Sequence, residues 1–130
     1  MCLSGAREVQ KEILAKSDSD KLKVLVVWTP RYPGDNRDKA LAAAKLIADS
    51  RATHFWDGKG RLGTQYGKVL KLPGGRTFAW DVYFVFDARV KWENSPPAPT
   101  EWMHQLGDDS RRLDVDKLGQ VTRSLLEQSK

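Results

Sequence analysis

Cysteine is almost absent from this sequence: Cys2 is the only one among 130 residues. A single cysteine excludes an intramolecular disulfide. The two histidines, His54 and His104, are far apart in the chain and lack the spacing of zinc ligands. No apolar run approaches the roughly 20 residues that cross a membrane. The sequence therefore predicts a domain without a disulfide framework, metal, cofactor or membrane span, and no pairing of Cys2 with either histidine is supported.

A strong excess of one charge is also missing, because 22 Lys and Arg residues stand against 17 Asp and Glu, giving a formal charge of +5. The cations alternate with acidic residues, as in residues 7–16 and 108–117, a pattern typical of solvated helix faces. Without a basic stripe, a basic nucleic-acid-binding protein is only an alternative interpretation. No charged segment followed by an apolar one begins the chain, so we expect a cytoplasmic protein as written, exported if an upstream signal segment has been removed.

The first half of the sequence predicts two helices around a strand. Apolar spacing indicates a helix over about residues 4–16, with Ser4 as its expected cap. The β-branched run 22–28 predicts a strand covered on both faces. A helix over about 36–49 follows, capped by Asp35 or Asn36. Its expected buried stripe consists of Leu41, Ala44, Ile47 and Ala48.

The second half predicts three strands and two helices. Strands are expected at about 53–57, 80–86 and 90–93, the last two forming a hairpin. Helices are expected at about 60–71 and 115–128, the latter capped by Asp114, and Thr100 is expected to cap a short turn. Alternation of strands and helices predicts one α/β domain over residues 1–130, with a mixed four-stranded sheet and helices on both faces.

This element order, with Cys2 at the head of the first helix, resembles the thioredoxin superfamily. It is most similar to the branch containing peroxiredoxins and the thioredoxin-like proteins of cytochrome maturation. The stretch WDGKGRLGTQYGKVL is similar to the segment that this branch inserts before its hairpin, and AWDVYFVFDARVKW resembles the hairpin itself. The resemblance covers nearly the whole chain and implies a three-layer sandwich.

The sequence differs from the pattern of that family in three places. Gly5 stands where the Cys-x-x-Cys motif has its second cysteine, so the chain cannot cycle an internal disulfide. Ala79 stands where the family has a cis-proline, and we expect a trans peptide there because a non-proline cis bond costs about 3 kcal/mol. The leading β-strand of the family is missing. Either the neighbouring strands close that gap, or a second copy fills it and completes the sheet as a homo-oligomer.

Cys2 is the one candidate catalytic residue. A thiolate at a helix N-terminus is stabilised by the helix dipole, which favours one-thiol chemistry. The competing interpretation is that Cys2 lies on a frayed terminus and has no role. If the chain is an enzyme, we expect one similar to thiol-disulfide oxidoreductases.

The candidate binding residues lie near strand ends, where the resemblance implies a substrate cleft: Trp28, Arg31, Asp35, Asn36, Ala79 and Trp80. Their expected ligand is an extended peptide or a small apolar molecule near Cys2. Two hypotheses of function follow. The chain is a binding or structural module, or a one-thiol protein, without a two-cysteine redox centre. Alternatively, it is a thiol-disulfide oxidoreductase whose N-terminal strand and second cysteine are absent from this chain.

Overall fold

A computed structural model describes residues 3–129, so Cys2 lies outside the described residues. The described residues form four α-helices and four β-strands, which confirms the α/β class. The chain divides into two compact units, the first extending to Gly60 and the second starting at Arg61.

The first unit contains two helices and two strands. Helix α1 (Ser4–Val9) continues into a π-helical turn (Gln10–Leu14), followed by strand β1 (Val24–Trp28), helix α2 (Arg37–Ala44) and strand β2 (Ala52–Trp56). These elements overlap the predicted helices at 4–16 and 36–49 and the predicted strands at 22–28 and 53–57, but α2 ends at Ala44 rather than near residue 49. Ser4 is the first residue of α1 rather than its cap.

Strands β1 and β2 pair in parallel, with Trp28 opposite Trp56. One face of the pair packs against α1 and α2 in a core whose buried members are Ala6, Leu14, Trp28, Ala40, Ala43 and Ile47. On the opposite face Leu25 is 71% exposed and Phe55 is 48% exposed. The prediction that β1 is covered on both faces was therefore wrong, because its β-branched run is buried on one side only.

Helix α2 begins where its cap predicts, since the Asn36 side chain accepts a hydrogen bond from the Lys39 N–H at 2.9 Å. Its buried side chains are Ala40 and Ala43, and Ile47 follows in the next turn. The predicted stripe was wrong except at Ile47, because Leu41 and Ala48 are exposed and Ala44 is only half-buried. Ala40, Ala43 and Ile47 also follow a helical spacing, and the small alanine side chains allow the helix to pack closely on the sheet.

The second unit contains helix α3 (Arg61–Val69), strand β3 (Val82–Val85), strand β4 (Glu101–His104) and helix α4 (Val115–Gln128). Helices α3 and α4 agree with the predictions for 60–71 and 115–128. The Asp114 side chain accepts from the Lys117 N–H, which confirms the predicted cap of α4.

The predicted hairpin of 80–86 with 90–93 was wrong. Residues 90–93 form no strand, and β3 pairs instead with β4, antiparallel, in the segment where a short turn capped by Thr100 was expected. The physical reason is local. The Asp87 carboxylate accepts hydrogen bonds from the Arg89 backbone and guanidinium, which turns the chain away from β3. The Thr100 N–H then donates to the Val85 carbonyl and starts the true pairing.

The strands described here pair two by two, β1 with β2 and β3 with β4, so the mixed four-stranded sheet is not confirmed. The core of the second unit contains Tyr66, Leu70, Leu72, Ala79, Trp102 and Leu106. Ala79 donates its N–H to the Gly63 carbonyl at 2.9 Å, so the segment before β3 lies directly on α3. Every peptide bond among the described residues is trans, as predicted for the bond preceding Ala79.

Candidate functional site

Trp28, the first candidate binding residue, lies in the core of the first unit and is 6% exposed. Its indole N–H donates to Nδ1 of His54 at 3.0 Å, and the other ring nitrogen of His54 lies 2.9 Å from the Ile47 carbonyl oxygen. Because Nδ1 accepts a hydrogen bond, Nε2 carries the proton and donates it to Ile47. Trp28 and His54 thus connect β1, β2 and the segment after α2.

Arg31, Asp35 and Asn36 form one loop after β1. The Asp35 carboxylate accepts hydrogen bonds from the backbone N–H groups of Arg31 and Tyr32, each at 2.9 Å. The N–H groups of Tyr32 and Arg31 lower the pKa of Asp35 from 3.8 to about 2, since they stabilise its charged form. The structure therefore brings Arg31 and Asp35 together through the backbone, and Asn36 caps α2 beside them.

The hydrogen bonds of Asp35 predict that the stability of this loop depends on pH in the acid range. A carboxyl whose folded pKa lies below its unfolded value contributes stability that is fully present above about pH 4 and lost as the pH falls towards 2. We expect Asp35→Asn to reduce the acid dependence of unfolding in the first unit over that window. Amide NMR between pH 2 and pH 6 measures it, with Asp38→Asn on the exposed side of α2 as the control. Equal acid sensitivity of the wild type and Asp35→Asn would contradict the prediction.

Ala79 and Trp80 belong to the second unit. Ala79 is 5% exposed, and Trp80 packs against the same core in a partly buried position. The close approach of this segment to α3 explains the burial of Ala79. Cys2, the candidate catalytic residue, lies outside the described residues.

A cleft of about 600 Å³ opens on the second unit, a size typical of ligand sites. It is lined by the end of α3, by the proline-rich segment before β4, and by a turn after β4. The residues that line it are Val69, Leu70, Lys71, Ala98, Pro99, Thr100, Glu101, Trp102, Asp109, Ser110 and Arg111. Its walls therefore combine aliphatic side chains, hydroxyl groups and charges of both signs.

Tyr66, a core residue of α3, holds the proline-rich segment in place. The Tyr66 hydroxyl donates to the Pro97 carbonyl at 3.0 Å, and the Tyr66 ring packs on Phe84 of β3 with centroids 4.5 Å apart. Burial of this hydroxyl raises the pKa of Tyr66. The hydroxyl therefore stays protonated at neutral pH and keeps donating to Pro97, next to the cleft residues Ala98 and Pro99.

Two charged side chains cap the backbone of β4 inside the cleft. The Trp102 N–H donates to the Glu101 carboxylate at 2.9 Å, and the Trp102 carbonyl accepts from the Arg111 guanidinium at 3.1 Å. The same Arg111 nitrogen, Nη1, donates to Glu101 at 3.0 Å, and the guanidinium lies 4.6 Å from the Trp102 ring centroid. Side chains thus replace a neighbouring strand at this position.

The turn on the far rim is fixed by a fully buried histidine. His104 Nδ1 accepts from the Leu106 N–H at 3.0 Å, so Nε2 carries the proton and donates to Asp109 at 2.9 Å. The Arg111 N–H and the His104 ring also stabilise the charged carboxylate, which lowers the pKa of Asp109. Both ring nitrogens are engaged, and His104 therefore shapes the rim rather than offering a free base.

A second, smaller cleft of about 410 Å³ lies in the first unit between α1 and α2. Asp35 lines this smaller cleft. Of the candidate binding residues predicted from the sequence, Asp35 alone borders one of the two clefts. Trp28, Arg31 and Asn36 are absent from its lining, which consists of Leu3, Arg7, Asp35, Lys39, Ala42, Ala43 and Leu46.

Sequence reasoning missed Glu101, Arg111 and the buried role of His104. Trp102 beside a proline-rich stretch was the available signal, since aromatic residues next to prolines often line a binding surface. Arg111 offered no signal, because its partners lie ten and nine residues earlier in the chain.

The described residues contain no cluster of three or more His, Cys, Asp or Glu side chains arranged to hold a metal ion. Within residues 3–129, none of the helices has the length and apolar character needed to cross a membrane. No protein-family model, no curated protein and no solved structure matches this chain.

Proposed function

We propose that this chain is a binding module, without two-cysteine redox chemistry, whose ligand is a short peptide segment held in the cleft of the second unit. The observation that carries the proposal is the pair of charged side chains in the cleft, Glu101 and Arg111, which bond each other at 3.0 Å beside Trp102. Their partly exposed carboxylate and guanidinium offer the backbone and side chains of a peptide both an acceptor and a donor.

The lining of the cleft supports a peptide over a purely apolar or purely ionic ligand. Val69, Leu70 and Pro99 supply apolar contact, whereas Lys71 and Arg111 are balanced by Glu101 and Asp109. Ligand sites typically combine an apolar lining with a few polar groups that fix orientation. A peptide presents apolar side chains and backbone amides together, and it needs no net charge to match this surface.

A binding role is also supported over hydrolysis. A general base must have a nitrogen or oxygen within reach of the substrate. The His104 ring is completely buried with both nitrogens bonded. Under this proposal Asp109 and His104 hold the rim in place.

The resemblance to the thioredoxin superfamily and the one-thiol role of Cys2 stay predictions. Neither is required by the proposed site, whose residues all lie after Arg61. We therefore expect Cys2→Ser to bind the same peptides as the wild type. Binding that disappears in Cys2→Ser would favour the one-thiol hypothesis.

The proposal is tested by affinity selection from a randomised pool of end-blocked hexapeptides, with identification by mass spectrometry. We expect enriched peptides to bind the wild type and to bind Ser110→Trp at least tenfold more weakly, because the indole fills the cleft at an exposed turn. Ser124→Trp, on an exposed position of α4, is the matched control and should bind normally.

Two results would overturn this function. The first is the absence of any enriched peptide with the full-length wild-type chain. The second is equal loss of binding in Ser110→Trp and Ser124→Trp while both retain wild-type amide spectra elsewhere, which would place the ligand outside the cleft.

A further inference from the structure

We propose that the peptide selected by this cleft carries two opposite charges, an acidic side chain that pairs with Lys71 and a basic side chain that pairs with Asp109. This inference rests on the proposed function and specifies which peptides the cleft binds. Its basis is the way in which the four charged residues of the cleft lining are paired with one another: Lys71, Glu101, Asp109 and Arg111.

Two of these four charges neutralise each other. The Arg111 guanidinium donates to the Glu101 carboxylate at 3.0 Å, and the same Nη1 atom donates to the Trp102 carbonyl at 3.1 Å. The Glu101 carboxylate also accepts from the Trp102 N–H at 2.9 Å. This pair can hydrogen-bond a ligand, but it does not select a charged group, because the opposite charges of Glu101 and Arg111 largely cancel.

Asp109 is held by neutral donors and keeps its negative charge. Its Oδ1 atom accepts from Nε2 of His104 at 2.9 Å and from the Arg111 N–H at 2.8 Å. Among residues 3–129, the second carboxylate oxygen, Oδ2, accepts no hydrogen bond, and the side chain is 43% exposed. A fixed carboxylate with one open oxygen is a binding point for an ammonium or guanidinium group.

Lys71 supplies the positive charge from a different wall of the cleft. It follows the end of α3, whereas Asp109 lies in the turn after β4. Within the described part of the chain, the Lys71 ammonium group forms neither a hydrogen bond nor an ion pair. The cleft therefore presents one positive and one negative charge that do not pair with each other.

A peptide with both charges matches this arrangement better than a peptide with one. A purely acidic peptide is attracted by Lys71 and repelled by Asp109, and a purely basic peptide meets the reverse. One acidic and one basic side chain satisfy both residues and leave the peptide without net charge, as the balanced lining requires. Complementary charges chiefly fix orientation and specificity. The peptide therefore binds with its acidic residue towards the end of α3.

The first experiment repeats the selection of end-blocked hexapeptides with the full-length chain and its variants. We expect peptides enriched by the wild type to contain at least one acidic and one basic residue. Lys71→Gln should lose only the preference for an acidic residue, and Asp109→Asn only the preference for a basic residue. The amide oxygen introduced by Asp109→Asn still accepts from His104 and Arg111, so the turn is preserved.

The matched controls remove the same charges next to the cleft. Lys68→Gln and Asp108→Asn change exposed residues that lie outside the cleft lining. Each control alters the net charge of the chain as much as the corresponding variant does. Both should enrich the same peptides as the wild type.

Affinities of single peptides isolate each ion pair. Replacement of the acidic residue of an enriched peptide by its amide should weaken binding to the wild type about threefold to fivefold, the scale of an exposed ion pair. The same replacement should leave binding to Lys71→Gln unchanged, because the partner charge is already missing. Replacement of the basic residue by glutamine should behave in the same way towards the wild type and Asp109→Asn.

The outcomes separate this inference from the proposed function. Enriched peptides whose affinity is insensitive to both replacements overturn the two-charge recognition and leave the peptide-binding function standing. Equal losses in Lys71→Gln and Lys68→Gln, or a charge preference of one sign only, overturn it as well. Failure to enrich any peptide overturns the function itself.

Discussion

Gly67→Ala is expected to lower the stability of the second unit by roughly 3 kcal/mol, the upper part of the range for overpacking. A Cβ atom at Gly67 lies 1.8 Å from the Thr77 carbonyl oxygen, and one at Gly63 lies 2.5 Å from the Ala79 carbonyl oxygen. Two glycines one helical turn apart thus allow the backbone of residues 77–79 to lie against α3. Helix propensity alone predicts the opposite sign, because alanine in a helix is favoured over glycine by about 1 kcal/mol.

Urea unfolding followed by amide exchange in α3 and β4 measures this effect. The matched control is Gln65→Ala, an exposed position of the same helix, which should change stability by less than about 0.5 kcal/mol. A Gly67→Ala chain at least as stable as the wild type would show that helix propensity outweighs the close contact, and would contradict the packing of residues 77–79 on α3.

Arg51→Ala is expected to destabilise the first unit by about 2–3 kcal/mol, because several partly buried polar groups lose a charged donor. The guanidinium donates to the carbonyls of Leu14, Ser17 and Ser19 at 2.7–3.0 Å. It also forms a two-point ion pair with Asp49, and those hydrogen bonds lower the pKa of Asp49 from 3.8 to about 2. One side chain therefore ties the end of the first helical segment to the start of β2.

Arg51→Lys separates geometry from charge. A lysine keeps the positive charge but cannot reproduce the planar fork that reaches three carbonyls and a carboxylate, so we expect it to recover less than half of the lost stability. Thermal unfolding monitored by tryptophan fluorescence measures both variants, with Arg37→Ala at the exposed start of α2 as the control. An Arg51→Ala melting temperature equal to that of the control would rule out a structural role for this network.

Local signals predicted where the four helices begin, because helix starts depend on neighbouring residues, although α2 ends earlier than predicted. Asn36 and Asp114 cap the helices that they were expected to cap, and the parallel pairing of β1 with β2 follows from the strand–helix–strand order. The predicted hairpin was wrong because strand pairing does not depend on neighbouring residues alone. Val90 and Trp92 carry strand-forming side chains, but pairing is decided by contacts across the fold.

The candidate site was harder to predict than the fold. Asp35 borders a cleft, and Trp28 and Ala79 lie in cores. The residues that shape the larger cleft are polar groups whose partners are separated along the chain, such as Arg111 with Trp102 and Tyr66 with Pro97. Long-range hydrogen bonds leave no periodic pattern in a sequence, so composition and spacing could not reveal them.

The sequence by itself determined the α/β class, the four helices and three of the four strands, since propensity, capping and apolar spacing act over a few residues. Only the tertiary structure decided which strand pairs with β3, which face of β1 is covered, and that the side chains of Glu101 and Arg111 bond the backbone of Trp102 beside a cleft. These features depend on burial and on directional hydrogen bonds between distant residues, which exist only once the chain has folded.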